Sequence, residues 1–299
     1  MEILLTGSSG LVGRALMPAL MRQGHRVTRL VRRATKPGTG EISWDPEAGI
    51  LDAAALAAFD AVIHLAGENI AAGRWSRARK GRILNSRVRG TQLLAGAIAS
   101  AQKPPKVFIS ASAVGYYGDR GSEAISEENG PGTGFLAEVC VAWEKAAAVA
   151  GNATRVVLLR LGVVLAAEGG ALARMLPPFR LGIGGKIGSG DQYMSWIALD
   201  DLVEIILFAL ESSSLQGPVN AVAPMPVTNQ DFTRTLARVL RRPAVMPVPA
   251  LLIKILFGEM GQDVLLSSTR VQPARLTATG YRFRFRELEP ALRRLLEHK

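Results

Sequence analysis

The sequence alternates short segments rich in Val, Leu and Ile with longer segments whose apolar residues recur at helical spacing. The short segments predict buried strands at residues 1–6, 25–31, 61–65, 106–111 and 154–159. The longer ones predict helices at residues 82–100, 135–149 and 200–210. Strands that alternate with helices along the chain indicate an α/β fold with a doubly wound parallel sheet.

A glycine-rich turn, GSSGLVG at residues 7–13, lies between the first strand and the first helical pattern. Side chains in such a turn would keep a pyrophosphate away from the backbone N–H groups and from the positive end of the helix dipole. The GxxGxxG spacing is less specific than GxGxxG, but its place directly after a strand is typical of a Rossmann-type fold. We therefore predict a dinucleotide site at Gly7, Gly10 and Gly13.

The end of the second strand selects between the two nicotinamide dinucleotides. An acidic residue there binds the ribose 2′-OH of NAD, whereas an arginine pairs with the 2′-phosphate of NADP. No Asp or Glu occurs between Glu2 and Glu41, and the second strand ends in Arg32 and Arg33. We predict NADP(H) as the cofactor, bound by Arg32. The alternative is that both arginines are solvated loop cations.

The pattern becomes less regular after the predicted strand at 154–159. Residues 182–190, GIGGKIGSG, predict a flexible loop, either a mobile lid over a substrate or a surface crossing. Aromatic and basic residues alternate at 281–286, which predicts an edge strand. We predict an NAD(P)-binding domain at 1–225 and a small C-terminal domain on the substrate side at 226–299.

Composition limits the class of protein. The 299 residues, 48% of them hydrophobic, suffice for one large α/β domain, alone or with a small one. A single cysteine, Cys140, excludes an internal disulfide framework. We find no basic leader, and the apolar stretch at 245–257 is too short and too interrupted to span a bilayer. We therefore expect a cytoplasmic protein without a membrane partner.

The formal net charge of +11 fits nucleic acid, an acidic membrane, or an anionic cofactor and substrate. No dense run of Lys and Arg with interleaved aromatic residues occurs, so we expect no nucleic-acid partner. From Gln230 onward the chain carries thirteen Lys and Arg against six Asp and Glu. That excess would attract an anionic small-molecule substrate or dock a protein partner, and we leave open a homodimer.

Taken together, the motifs resemble the extended short-chain dehydrogenase/reductase superfamily. The matching segments lie at residues 6–13, 60–67, 85–91, 109–118 and 195–202. More narrowly, the chain is similar to the atypical "epimerase family protein" group at residues 65–70, 74–80, 184–190 and 258–260. The resemblance covers nearly the whole chain. It implies an NAD(P)-binding epimerase/dehydratase-like domain with a substrate region built from the C-terminal part, and it specifies no substrate.

The resemblance also implies which positions bind the cofactor. They lie at or directly after the carboxyl ends of the first strand, the strand at 61–65, the strand at 106–111 and the strand at 154–159. The implied residues are Gly7, Ser9, Gly10, Leu11, Val12, Gly13, Leu65, Ala66, Gly67, Ser110, Ala111 and Arg160.

Typical members of the superfamily catalyse proton transfer with a Ser and a Tyr-x-x-x-Lys pair. Ser112 stands where the family Ser lies, but no Tyr here is followed four residues later by Lys. If Glu144 is aligned with the usual helix Glu, Leu136 and Cys140 take the places of the Tyr and the Lys. We predict Cys140 to be a small buried hydrophobe rather than a reactive thiol.

The remaining candidates for chemistry are Ser112, Tyr116, Tyr117 and Glu68, which follow the carboxyl ends of predicted strands. Each also has a structural interpretation, because Ser112 could tie down a strand end, the tyrosines could pack a loop and Glu68 could cap a helix. His64 is predicted to be a core histidine. No cluster of His, Cys, Asp or Glu has metal-ligand spacing, so we predict no metal.

Three functions remain open from the sequence. The first is an oxidoreductase or nucleotide-sugar epimerase-like enzyme that uses another acid. The second is a redox sensor or regulator that binds NADP(H) without turnover, and the third is a scaffold for a protein partner.

Overall fold

The computed structural model describes residues 1–36 and 38–297, with the side chain of residue 297 left out. The strands are β1 Glu2–Thr6, β2 Arg26–Val31, β3 Glu41–Ser43, β4 Ala61–His64, β5 Val107–Ala113, β6 Ala124–Ile125, β7 Arg155–Leu161, β8 Val163–Ala166, β9 Tyr193–Met194, β10 Trp196–Ala198, β11 Gly217–Ala221, β12 Val227–Thr228 and β13 Arg270–Val271. The helices are α1 Leu11–Arg22, α2 Arg77–Ala99, α3 Phe135–Ala148, α4 Gly170–Arg180, α5 Leu199–Glu211, α6 Asn229–Leu240, α7 Ala250–Phe257, α8 Glu259–Gly261, α9 Ala274–Ala278 and α10 Leu288–Glu297.

Seven of these strands form the central sheet, in the order β11-β7-β5-β4-β1-β2-β3. Every neighbouring pair in it is parallel. The chain builds outward from β1 to β3, returns to the other side of β1 with β4, and continues to β11. The predicted Rossmann-type, doubly wound parallel sheet is confirmed.

Both faces of the sheet are buried, which explains why its strands read as nearly continuous apolar runs. On β1, Ile3 and Leu5 face one hydrophobic cluster together with Leu16 and Leu20 of α1. Leu4, between them, faces a second cluster on the opposite side. That second cluster includes residues of α2 and α3, so the helices cover the sheet from both sides.

The C-terminal segment shares the first of these clusters rather than forming a core of its own. Phe232 of α6 and Leu292 of α10 are buried in the same cluster as Ile3 and Leu5. The segment predicted as a small domain at 226–299 therefore packs directly on the sheet domain. The boundary at residue 225 stays a prediction.

The predicted edge strand at 281–286 is wrong. These residues form an irregular segment that is held by α5. The buried carboxylate of Asp201 accepts hydrogen bonds from the backbone N–H groups of Arg284 at 2.8 Å and Phe285 at 2.9 Å. Burial raises the pKa of Asp201, and these two N–H donors oppose that rise. The backbone thus satisfies its donors with a side chain instead of a neighbouring strand.

The glycine-rich loop at 182–190 is held by the segment that precedes α7. Met246 N–H donates to the carbonyl of Gly184 at 3.1 Å, and Val248 N–H donates to that of Lys186 at 2.8 Å. A Cβ on Gly185 would lie 1.9 Å from the Met246 carbonyl oxygen, so only glycine permits this approach. No helix among the described residues is long and apolar enough to cross a membrane.

A buried hydrogen-bonded junction joins β1 to β4 where the two strands end. The hydroxyl of Thr6 accepts the backbone N–H groups of Leu65 at 3.1 Å and Ala66 at 3.3 Å. It also lies 2.7 Å from Nδ1 of His64. Because both lone pairs of the hydroxyl accept N–H groups, its one hydrogen is donated to Nδ1, and the proton of the neutral ring sits on Nε2. His64 is the core histidine that the sequence predicts.

We predict that His64 makes the protein acid-sensitive. Burial lowers the pKa of His64 from 6.5 to about 4. Between these two pH values, His64 is protonated in the unfolded chain and neutral in the folded protein. The free energy of unfolding should therefore fall by about 3 kcal/mol as the pH drops through this range, from this residue alone.

Urea denaturation of the wild type and of His64→Asn at pH 7 and pH 4 measures this effect. The variant is destabilised at both pH values by its lost packing, but it should lack the histidine's share of the acid-dependent loss. Equal pH dependence in the two proteins would contradict the assignment.

Candidate functional site

The order of the central sheet reverses between β1 and β4, and the glycine turn lies at this point. Adjacent loops leave in opposite directions where the order reverses, which opens a crevice at the carboxyl ends of the strands. Gly7 has a φ of +70°, and a Cβ there would lie 2.7 Å from the carbonyl carbon of Leu65. The turn after β1 is therefore in direct contact with the loop after β4.

The turn presents free backbone donors to this crevice. A Cβ on Gly13 would lie 2.3 Å from the carbonyl oxygen of Gly7, so the first turn of α1 packs tightly on the loop before it. Gly10 is the N-cap residue and provides no side-chain cap. The N–H groups of Leu11, Val12 and Gly13 have no acceptor among the described residues. Three free amides at the positive end of a 12-residue helix fit a pyrophosphate.

Arginine side chains lie at the end of β2, and one of them is free. Glu41 of β3 is paired with Arg29 at 2.6 Å and with Arg33 at 2.7 Å. Arg32 is exposed and has no hydrogen bond or ion pair with any described residue. Glu41 is thus paired with two arginines, and the guanidinium of Arg32 remains available to bind an anion.

A buried polar network lies at the carboxyl end of β5. Ser112 donates to Glu144 of α3 at 2.7 Å. Arg160 of β7 clamps the same carboxylate with its Nε and Nη2, both at 2.8 Å. A bidentate pair with a side chain that is only 3% exposed holds the carboxylate in one geometry. Glu144 therefore forms a buried ion pair with Arg160 that has a structural role.

Tyr117 extends this network to the far edge of the sheet. Its hydroxyl accepts from Nη1 of Arg160 and donates to Asn220 of β11, both at 2.8 Å. Burial raises the pKa of Tyr117, whose side chain has no solvent exposure. The ring of Tyr116 stacks against Arg160, with the guanidinium carbon 3.5 Å from the ring centroid. Tyr116 remains partly exposed and its hydroxyl has no hydrogen bond within the described residues.

The helix that follows this end of the sheet lacks both members of the usual pair. Leu136 and Cys140 lie against Gly115, within 4 Å of where its Cβ would stand. Burial raises the pKa of the Cys140 thiol to about 11, with the nearby Glu144 carboxylate adding to the rise. Cys140 therefore stays protonated, as expected of a buried hydrophobe.

Glu68 lies in the loop after β4, near the turn. Its backbone N–H donates to Ser86 at 3.0 Å, and its side chain is 39% exposed with a long contact of 3.9 Å to Arg79. Glu68 does not cap a helix, because α2 begins later, with Ser76 as the N-cap that accepts from Arg79 N–H.

The structure brings most of the predicted cofactor residues to one crevice. The glycine turn, the partly exposed Leu65 and Ala66 and the exposed Gly67 line it, whereas Ser110 and Ala111 are buried in β5. Each nitrogen of Arg160 donates within the network, so its side chain is not available to a cofactor as the resemblance implies.

Arg87 of α2, which the sequence does not single out, contacts the loop after β4. Its guanidinium lies beside Gly67, and its Nη1 donates to the carbonyl of Glu68 at 3.1 Å. The motif at 85–91 contains it, but nothing in the spacing shows that the side chain reaches the loop after β4. Among the described residues, no group of three or more His, Cys, Asp or Glu side chains is arranged to hold a metal.

We predict that Gly7→Ala destabilises the protein more than Gly24→Ala. Both positions have a similar positive φ, +70° and +78°, but a Cβ on Gly24 meets nothing within 4 Å. Gly24→Ala therefore carries only the backbone strain of about 1–2 kcal/mol. Gly7→Ala adds the clash with Leu65, worth about 1–3 kcal/mol more.

The difference between the two free energies of unfolding, measured by urea denaturation, isolates the close approach of the two loops. Equal destabilisation would contradict the prediction, because it would mean that the loop after β4 can move to accommodate the Cβ with little loss of stability.

Comparisons with known proteins agree with this geometry. The profile of the "NAD dependent epimerase/dehydratase family" matches residues 3–222, and that of a "Domain of unknown function (DUF1731)" matches residues 248–295. The chain is 44% identical to an epimerase family protein of Mycobacterium bovis, over 97% of this chain and 96% of that protein. It is 41% identical to the human epimerase family protein SDR39U1, over 99% of this chain and 100% of that one.

A crystal structure of human SDR39U1 (isoform 2) with NADPH superposes on this chain with a TM-score of 0.91. The two share 39% sequence identity, and the match covers 100% of both chains. The resemblance drawn from the sequence motifs is confirmed. With a family profile that matches most of its length, the chain belongs to the NAD-dependent epimerase/dehydratase family.

Proposed function

We propose that this protein binds NADP(H) in the crevice between β1 and β4. The observation that carries the proposal is the set of three free amides at Leu11, Val12 and Gly13, next to glycines that let a ligand approach the backbone. The similarity to human SDR39U1, whose structure contains NADPH, supports the same cofactor.

The residues divide the cofactor between them. The amides of Leu11, Val12 and Gly13 would take the pyrophosphate, and the free guanidinium of Arg32 would take the 2′-phosphate. The loop at 65–67 would contact the nicotinamide half. When bound, the nicotinamide supplies or accepts a hydride.

If the cofactor is bound as proposed, replacing Arg32 and replacing Arg33 should change the Kd for NADPH to different extents. Arg32→Ala should raise the Kd for NADPH by about 10- to 100-fold, because a charge-assisted bond to the 2′-phosphate is lost. The Kd for NADH, which lacks that phosphate, should change little. Calorimetric titration measures both constants.

Arg33→Ala is the matched control, since Arg33 is already paired with Glu41. Its effect on the Kd for NADPH should be the smaller of the two. Tighter binding of NADH than of NADPH by the wild type would contradict the cofactor assignment.

We further propose an oxidoreductase or epimerase-like reaction in which the proton is moved by Glu68 or Tyr116. The hydroxyl of Ser112 donates to Glu144, and that of Tyr117 bridges Arg160 and Asn220, so both are already engaged in the network around Arg160. Glu68, with a side chain that is 39% exposed, and the partly exposed Tyr116 are the two predicted catalytic residues outside these hydrogen bonds.

We propose that the substrate is received in a cleft between the 182–190 loop and the C-terminal segment. Its lining includes Asp119, Gln192, Lys254 and Gln262. One cation and one anion with two amides suit a polar small molecule. A substrate with net negative charge, and a homodimer, stay predictions.

A second function is favoured by one observation. The network of Ser112, Glu144 and Arg160 replaces a proton relay with a rigid ion pair, and α3 carries Leu136 and Cys140 where the usual pair would stand. A protein built in this way could bind NADPH and change a partner's behaviour without turning over a substrate.

A substrate panel separates the two functions. NADPH-loaded protein is incubated with aldehydes, ketones and nucleotide sugars. Oxidation of the cofactor is followed by the absorbance of the reduced nicotinamide, and conversion of the sugars is followed by chromatography. We expect turnover that falls about 100-fold or more in Glu68→Gln or in Tyr116→Phe, but not in both equally.

Glu138→Gln on α3, away from the crevice contacts described above, is the control for a general charge effect. Tight NADPH binding with no conversion of any compound would overturn the enzyme proposal in favour of the regulatory one.

A further inference from the structure

The helix α7 turns one apolar side to the solvent. Leu251, Leu252, Ile255 and Leu256 are exposed, Leu251 to 69% and Ile255 to 59%. Because side chains four residues apart lie on the same side of a helix, these four residues form one continuous face. Ile253, on the other side, is the buried residue of this helix. The helix is therefore packed on the protein by one side only.

The segment before α7 continues this exposed apolar surface. Val245 and Met246 are exposed, Val245 to 73%. Ala244 forms an antiparallel bridge with Ile183, whose side chain is exposed as well. Apolar exposure that is concentrated in one stretch is typical of a binding surface, whereas scattered exposed apolar residues are ordinary. We call the following side chains the apolar patch: Val245, Met246, Leu251, Leu252, Ile255 and Leu256.

The two stretches of chain that carry these apolar residues, 180–186 and 241–258, are basic. They contain no Asp or Glu. Their Lys and Arg residues form no ion pair with any described residue. These residues are Arg180, Lys186, Arg241, Arg242 and Lys254. The patch thus has unpaired positive charge beside it and no negative charge from its own segments.

The basic residues border the patch on more than one side. A Cβ on Gly182 would lie 3.3 Å from Pro243, so the stretch that follows Arg180 contacts the stretch that follows Arg242. On α7, Lys254 follows Leu251 by three residues, which places it at the border of the apolar face. An apolar centre with a basic border is complementary to a partner that is both apolar and negatively charged.

A second copy of this chain does not have that character. In a two-fold symmetric contact both partners present the same surface. The basic residues of the two copies would therefore meet without an acidic residue from either stretch to pair with them. Like charges that are brought together in this way disfavour association.

The composition of the patch also differs from that of a typical protein interface. The cores of such interfaces are enriched in aromatic side chains. Every side chain of the apolar patch is Val, Met, Leu or Ile, and none is aromatic. Leu and Ile next to Lys and Arg are instead suited to a helix that lies in the interfacial layer of an anionic membrane.

We propose that the apolar patch docks this protein on the surface of an anionic lipid membrane. The Leu and Ile side chains of α7 enter the boundary between headgroups and acyl chains, and Arg241, Arg242 and Lys254 contact lipid phosphates. The eight residues of α7 are too few to span a bilayer, so the contact is peripheral. The expectation of no membrane partner rests on the lack of a spanning segment, which this docking does not need.

Co-sedimentation of the full-length protein with vesicles tests the proposal. One set of vesicles is pure phosphatidylcholine, and the other contains about 30% phosphatidylglycerol as the anionic lipid. We expect binding to the anionic vesicles that weakens at least about tenfold in pure phosphatidylcholine and also weakens at high salt.

Variants separate the patch from the net charge of the whole protein. Leu251→Ser and Ile255→Ser, made singly, should each weaken binding to the anionic vesicles about tenfold, because an apolar side chain no longer enters the lipid. Arg241→Gln should weaken it about fivefold through the loss of one charge. The exposed Met21→Ser and Arg22→Gln on α1 are the matched controls and should leave binding unchanged.

Circular dichroism checks that each variant keeps its fold, and Arg241→Gln carries the test alone if both serine variants unfold. Absence of binding to either vesicle would overturn the proposal, and so would equal binding by the wild type and the folded patch variants. Light scattering identifies the other occupant. A dimer that Leu251→Ser dissociates, without vesicle binding by the wild type, would assign the patch to a second copy instead.

Discussion

The contact between the turn after β1 and the loop after β4 is the constraint on which the site depends. Gly7 can lie against Leu65 only without a side chain, and Thr6 receives the N–H groups of Leu65 and Ala66 from the same loop. The hydroxyl of Thr6 is in turn fixed by the buried ring of His64. One junction therefore places the free amides of α1 beside residues 65–67 and sets the width of the crevice between them.

A second rigid unit stands at the other end of the crevice. Arg160 joins Glu144 of α3 to Tyr117, and Tyr117 joins Asn220 of β11, whose amide donates to the carbonyl of Gln272. The network thus connects the central sheet to the C-terminal segment. Ser112, which stands where the family Ser lies, donates to Glu144 and is therefore part of this network.

The sheet and the turn could be predicted from the sequence because their signals are local. Strands buried on both faces appear as apolar runs, and the glycines at 7, 10 and 13 follow one of them directly. The helix predicted at 200–210 corresponds to α5, Leu199–Glu211, for the same reason. The edge strand predicted at 281–286 does not form, because two backbone donors of this segment bind Asp201, which is more than eighty residues away in the chain.

The site could be predicted only in part, since its contacts join distant residues. Ser112 and Glu144 are 32 residues apart, and Tyr117 and Asn220 are 103 apart, so no spacing rule pairs them. Arg32 and Arg33 look equivalent in sequence. Only the pairing of β2 with β3 brings Glu41 close enough to form an ion pair with Arg33. The contact of Arg87 with the loop after β4 is likewise invisible in the sequence, because the two residues it joins, Arg87 and Glu68, are 19 apart in the chain.

Hydrogen–deuterium exchange with and without NADPH tests the central claim most directly. The proposed pyrophosphate site consists of the amides of Leu11, Val12 and Gly13, which have no acceptor among the described residues. Saturating NADPH should slow exchange in a peptide that spans residues 7–14 more strongly than in peptides from α6 or α10. Protection that is absent from this peptide, while NADPH is bound, would contradict the account.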